Sequence, residues 1–478
     1  MRREMKTMNE FLHSCSRRRF LGTCATCAAG MPAMTVFTAP DEAFAAQAKR
    51  KARVRVLFLY PDPTKPNWPN IGYDFEDRIR VLTDMLIRGC PGIEFLPVNV
   101  TSGAAAEAQK ILEKDSEVDG YLVYLVGCLW GATPQTIAAG GKPTVIVDEL
   151  FAGTGEFLTA SADIKRKGGR IAAVSSSRFS DVVEALRGIE CLTALKQSRI
   201  LVVGADPDKG IEQVYGTTVQ SVPFSEINDA CKAAGSSDIR KCTERWMKGA
   251  RKVIEPSRGD IEKAAAIYLA MEALLKTYGG DAITINCLGG IYSGGMVEAY
   301  PCLGFMQLDN DGRVGACEAD QRSTLTKLLM TYLVGRPGFI SDPVIDTAKN
   351  RIVYVHCVGP TKVYGPAGPS NPYDIRSHSE DRKGACNRSL MPLGKMTTTL
   401  LFDHVKKQVI LHQGVSVENV DDDKACRTKL AVEVKGDVYK LMNYWDQWGW
   451  HRVTFYGDLK RQVQNVASLL GFGVVEEA

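Results

Sequence analysis

Apolar positions follow two rhythms along this chain. Residues 53–60 (Arg-Val-Arg-Val-Leu-Phe-Leu-Tyr) predict a first strand, followed by a Pro-rich loop and a helix over about 75–88. Further strands are expected at 93–98, 120–126 and 143–147, with a helix at 104–114. These strands are continuous Val/Ile/Leu/Tyr runs rather than alternating ones, which predicts a parallel sheet covered on both faces. The connection rules then give an open doubly wound domain over residues 49–195. A second α/β unit, 196–300, opens on Arg199-Ile-Leu-Val-Val-Gly-Ala-Asp206. It continues with a strand segment at 215–222, a helix at 260–278 with Asp260 as its cap, and a strand at 282–287. After about residue 300 the rhythm changes. Short apolar runs at 339–340, 352–358, 397–402 and 409–412 alternate with Gly/Pro/Asn turns, which predicts a mostly β domain over 301–478. That domain closes with a strand starting at Arg452 and a helix over 459–470. The expected fold class is α/β: two doubly wound parallel-sheet domains, then a mostly β domain.

Residues 315–337 stand out within this pattern. Glu318 and Asp320 lie where a short apolar run ends and a helix begins. Asp320 or Ser323 can cap the helix; Leu325, Leu328, Leu329, Tyr332 and Leu333 form its apolar face; Gly335 and Pro337 stop it. Alone, Asp320 is a helix cap. A second acidic segment upstream and a histidine segment near the C-terminus change its weight. Oxygen and nitrogen ligands drawn from distant segments suit a hard or borderline divalent ion.

Composition narrows the classes. The 478 residues, 45% hydrophobic, suffice for two or three domains with sizeable cores. The net charge of +4 is spread along the chain with no basic block carrying interleaved aromatics, which argues against a nucleic-acid partner. No run of 18 uncharged apolar residues follows the N-terminus, so no membrane span is expected. Residues 1–48 read as a signal segment. Ser16-Arg17-Arg18-Arg19-Phe20-Leu21 matches the twin-arginine export pattern, and both Ala43-Phe44-Ala45 and Ala46-Gln47-Ala48 fit cleavage sites. A periplasmic or otherwise exported protein, folded before export, is the expectation. Of 14 cysteines, those beyond the signal include no CxxC zinc spacing. Cys128, Cys287 and Cys357 sit in apolar runs and read as core thiols. Nothing at Gly-Ala-Asp206 matches a phosphate-binding glycine pattern.

Among the histidines, His451 is distinctive. It follows Trp445-Asp-Gln-Trp-Gly-Trp450 and begins an apolar strand. Those tryptophans either stack a sugar ring or pack the core.

These segments carry a resemblance. Residues 289–301, Pro301-Cys-Leu-Gly-Phe, Gly315-Ala-Cys-Glu-Ala-Asp320, Gly335-Arg-Pro, Ser341-Asp-Pro343, His356-Cys357 and Trp450-His-Arg-Val-Thr-Phe-Tyr-Gly-Asp458 resemble the L-fucose isomerase and L-arabinose isomerase family. The resemblance implies a fucose isomerase-like fold, a homo-oligomer with sites near subunit interfaces, and Mn²⁺ or another divalent metal. It also implies aldose–ketose isomerisation of a sugar or sugar derivative through an enediol. Carried onto this chain, the metal ligands are Glu298, Asp320 and His451, with Glu298 and Asp320 also moving protons. On the arabinose-isomerase pattern the first carboxylate falls near Asn286-Cys287, and Glu318 becomes the ligand instead. Glu318, Arg322, His378 and Trp450 are candidates for substrate contact. Two other readings stay open: an exported carbohydrate-binding protein that kept the fold without the reaction, and an epimerase of modified sugars.

Overall fold

The computed structural model describes residues 49–296 and 299–478. The twin-arginine pattern, its cleavage sites and Glu298 lie outside the described residues.

The first sheet is parallel and holds β1 (Ala52–Leu59), β2 (Ile93–Val100), β3 (Gly120–Leu125), β4 (Thr144–Asp148) and β5 (Ile171–Ser175) in the order β2-β1-β3-β4-β5. β3 and β4 are buried along their whole length, which is why neither shows polar alternation. The second sheet holds β6 (Arg199–Val203), β7 (Thr218–Val222), β9 (Ala282–Ile285) and β10 (Val314–Ala316) in the order β10-β9-β6-β7. Its edge strand β10 lies beyond residue 300. Tyr215, expected in a strand, instead ends the short helix Lys209–Tyr215, which Gly216 terminates in the left-handed conformation at φ 73°. The long helix runs Arg258–Tyr278. Ser257 is its cap and Asp260 answers from the third helical position, so the expected cap residue is the second half of a capping box.

The C-terminal region is a closed barrel. β11 (Phe339–Asp346), β12 (Arg351–His356), β15 (Met396–Asp403), β16 (Gln408–Asn419), β17 (Thr428–Val434) and β18 (Arg452–Tyr456) run β15-β18-β11-β12-β17-β16. β16 pairs back onto β15, so the ring has no open edge. β19 (Gly473–Glu476) adds to β16 in parallel. A small sheet of β8 (Lys252–Val253), β13 (Tyr373–Arg376) and β14 (Cys386–Ser389) ties this region to the second α/β unit. The last helix, Lys460–Leu470, returns to the first unit and packs on the helix Phe179–Lys196. The approach is close: a Cβ on Gly188 would lie 2.6 Å from Leu469 Cδ1. Among the described residues no helix is long and apolar enough to cross a membrane.

Candidate active site

Strand register assembles the site. β11 runs between β12 and β18. It pairs Asp342 with Val355 on one side and Ser341 with Arg452 on the other. Asp342, His356 and His451 therefore reach the same level of the barrel wall. The fourth group comes from the second parallel sheet. β10 ends at Ala316, and a turn carries Glu318 and Asp320 into the helix Gln321–Val334. Glu318 and Ala319 have φ 62° and 53°. Side chains rarely adopt that region, and two such residues in succession are the kind of backbone strain held at functional sites. The turn presents the Glu318 carboxylate to the histidines.

Asp320 does two jobs. As N-cap it accepts the Ser323 backbone N–H on Oδ1 at 3.0 Å and the Ser323 hydroxyl on Oδ2 at 2.6 Å. Its Oδ2 also lies 2.9 Å from His451 Nδ1. The Nδ1–H is thereby fixed on that side, which leaves the Nε2 lone pair turned toward Asp342 and Glu318. There, Nε2 is 3.2 Å from Asp342 Oδ1 and 3.6 Å from Glu318 Oε2, yet it is buried with no hydrogen-bond partner. A lone pair ringed by two carboxylates calls for a cation. Without a metal that cation is a proton: burial opposes it, but Asp320 and Asp342 outweigh burial and push the His451 pKa up to about 10. Burial acts to raise Asp320 and Asp342, yet the His451 imidazole holds both below the usual carboxylate range. Glu318 goes the other way. Burial raises it, His451 offsets this in part, and Asp342, Glu380 and Asp320 raise it further.

His356 differs from His451. The Cys357 backbone N–H donates to its Nδ1 at 2.9 Å. The neutral ring then carries its proton on Nε2, which points at Glu318 Oε1 at 3.6 Å. Burial first, with His451 and Lys327 assisting, pushes its pKa down to about 4 despite Asp342. His356 is a neutral donor toward Glu318 rather than a ready ligand.

A divalent ion fits this donor set. Two groups among the described residues offer ligand atoms within 4.8 Å of one another: Asp342, His356 and His451, and Cys317, Glu318 and His356. Ligand atoms bonded at about 2.1 Å to one ion sit roughly 3 Å apart, close to the spacing of His451 Nε2 and its two carboxylates. Setting His356 aside by its tautomer leaves Asp342 Oδ1 at 3.2 Å and Glu318 Oε2 at 3.6 Å from His451 Nε2 as the groups placed to hold the ion with it.

The other expected residues divide. His378 is buried on the wall of the cavity lined by Glu318, Asp342 and His356, with Nδ1 3.4 Å from Asp381 Oδ1. Asp381 also accepts the Tyr300 hydroxyl. Trp450 is 62% exposed, and its indole helps to hold Asp342 below the usual carboxylate range. Trp445 and Trp448 are buried in the core. Arg322 turns away to pair with Asp403 at 3.1 Å. Asp342 and His356 are residues to which sequence reasoning gave no role. Both stood inside quoted motifs, but only the barrel register joins them to His451. The cavity they surround is about 30 Å³, room for a water-sized species.

No protein-family model matches the chain. It is 23% identical over 302 residues to the sulfoquinovose isomerase of Clostridium sp. (strain MSTE9), covering 60% of this chain and 66% of that one. It is 22% identical over 301 residues to the sulfoquinovose isomerases of Priestia aryabhattai and Priestia megaterium (strain ATCC 12872 / QMB1551), covering 58% of this chain and 64% of each. The match spans just under two-thirds of the length of these curated relatives.

Proposed function

We propose that this chain is a metal-dependent aldose–ketose isomerase acting on a sugar or sugar derivative. One observation carries the reading: the His451 Nε2 lone pair, oriented by Asp320 from behind, is enclosed by Asp342 and Glu318. The similarity to sulfoquinovose isomerases points to the same reaction class and makes sulfoquinovose the first substrate to try. Glu318, Asp342 and His451 would hold a divalent ion. When bound, such an ion supplies Lewis-acid polarisation of neighbouring sugar oxygens.

The chain's own groups do the rest. The reaction takes a proton from C2 and returns it to C1, while the O2 proton passes to O1. Glu318, a third exposed and held above the ordinary carboxylate range, is placed to carry a proton at the cavity. Asp320 keeps His451 in one orientation through the cycle. His378, steadied by Asp381, offers a polar contact from the facing wall. The exposed Trp450 indole, near Asp342, offers a surface for the sugar ring. Glu298 keeps its proposed place as a further carboxylate, and export and oligomer formation belong to the same reading.

The test is an isomerisation assay on sulfoquinovose and a panel of aldoses, before and after chelation and after Mn²⁺ is restored. Interconversion lost on chelation and regained with the ion supports the reading. Sugar binding that needs no metal and gives no ketose would put the carbohydrate-binding protein in its place.

A further inference from the structure

Two cysteines flank the turn that delivers Glu318. Cys287 directly follows Asn286 at the end of β9, and Cys317 directly follows β10. The two strands are paired in parallel, with Thr284 opposite Ala316, so both thiols leave adjacent strand ends in the same direction. Ala319 N–H donates to Ile285 O at 2.9 Å and holds the two backbones together just beyond the strands. The Cys287 and Cys317 sulfurs are 3.2 Å apart. Both residues are buried and both line the Glu318–His356 cavity. Among the described residues all cysteines are free thiols. A disulfide needs its sulfurs about 2 Å apart, so bond formation asks each side chain to move by well under the length of a bond.

We propose that Cys287 and Cys317 are an oxidation site that closes to a disulfide and fastens the Glu318 turn to the end of β9. The oxidant matched to the site is a small peroxide. The cavity that both thiols line has about 30 Å³ of room for the centre of a water-sized molecule, enough to admit a small peroxide. One cysteine sulfur attacks a peroxide oxygen, the O–O bond breaks and water leaves, which gives a sulfenic acid. The second sulfur displaces the sulfenic hydroxyl as water, and the S–S bond forms. Two thiols have then lost two hydrogens, and one hydrogen peroxide has become two waters. A cross-link ending at Cys317 restrains its neighbour Glu318 and takes the Cys317 sulfur out of the donors beside Glu318 and His356, so oxidation acts on the candidate site. The cross-link itself is read by mass and does not depend on the isomerase reading.

The experiment treats the purified, folded protein with a small molar excess of hydrogen peroxide, alkylates it in denaturant and maps the peptides. The expected product is a Cys287 peptide joined to a Cys317 peptide, with two fewer titratable thiols per chain and slower amide exchange at Glu318 and Ala319. In Cys287→Ala, checked by circular dichroism for native folding, a sulfenic acid on Cys317 is trapped by dimedone added together with the denaturant, and no cross-link forms. Recovery of both residues as alkylated thiols in the wild-type protein would overturn the proposal. So would a link between Cys357 and Cys426, which line the same cavity, with Cys287 and Cys317 left free.

Discussion

His451 and Arg452 are neighbours, and they serve opposite ends. Arg452 is fully buried against Glu477 at 3.2 Å, and Glu477 in turn lies 2.9 Å from His412 Nδ1. The other nitrogen of His412 meets the Tyr354 hydroxyl, and Arg452 also donates to the Gly449, His451 and Trp445 carbonyls. The charges and both ring nitrogens of that network are answered by the protein itself. One residue earlier, His451 has one ring nitrogen answered by Asp320 and the other left among carboxylates. Buried polar groups are normally satisfied because leaving one unpaired costs ~1–3 kcal/mol. A fold that completes one histidine network and leaves the adjacent one open marks the open one as the place for something from outside.

Substitutions can pull the two networks apart. The largest effect is expected at His451. His451→Ala removes the central donor, so isomerisation should fall by roughly a thousandfold, in line with the several kcal/mol a Lewis-acid site supplies. Its unfolding midpoint should fall as well, because Asp320 and Asp342 lose the imidazole that offsets their buried charge, so the rate is compared per folded molecule. Asp342→Asn should follow it. Glu477→Gln should act on stability alone, destabilising the fold by about 3 kcal/mol through the uncompensated Arg452 charge, while activity per folded molecule stays near wild type. Denaturant titration beside a rate assay checks both.

Both networks lose stability in acid, and Glu477 reports the closed one. Burial opposes the Glu477 charge, but His412 and Arg452 hold its pKa below the ordinary value of 4.5. A depressed carboxylate contributes stability that is complete above its unfolded pKa and is lost as pH falls through the folded one. Unfolding free energy should therefore drop on acidification below about pH 4.5, and Glu477→Gln should flatten that limb. Asp320→Asn is milder. Asparagine still caps the helix, yet it no longer offers a carboxylate to His451, so metal affinity should weaken about 10–100-fold. Trp450→Ala is the smallest change, a severalfold rise in KM with kcat nearly kept.

Legibility in the sequence followed the range of the interactions. The parallel strands announced themselves because two-sided burial removes polar residues from β3 and β4. The helix at 321–334 was equally plain, since Asp320, its leucine face and Gly335 are local signals. Barrel closure was not legible, because the β15–β16 pairing needs β18, β11, β12 and β17 in place to become a ring. Asp342 was hidden for a related reason. Next to Pro343 it reads as a turn residue, and only the pairing of β11 with both β12 and β18 sets it beside His356 and His451. Glu318 was read as a substrate contact or an alternative ligand, but the turn that presents it was not legible, because nothing local says that Glu318 and Ala319 adopt left-handed conformations.

The central claim is that the open network around His451 is a metal site. The most direct measurement is the divalent-ion content and affinity of the purified protein, alongside His451→Ala, Asp342→Asn and Glu477→Gln. About one ion per chain, lost in the first two variants and kept in the third, is the predicted result. A folded wild-type protein that binds no divalent ion, or a His451→Ala variant that binds it as tightly as wild type, would contradict the account.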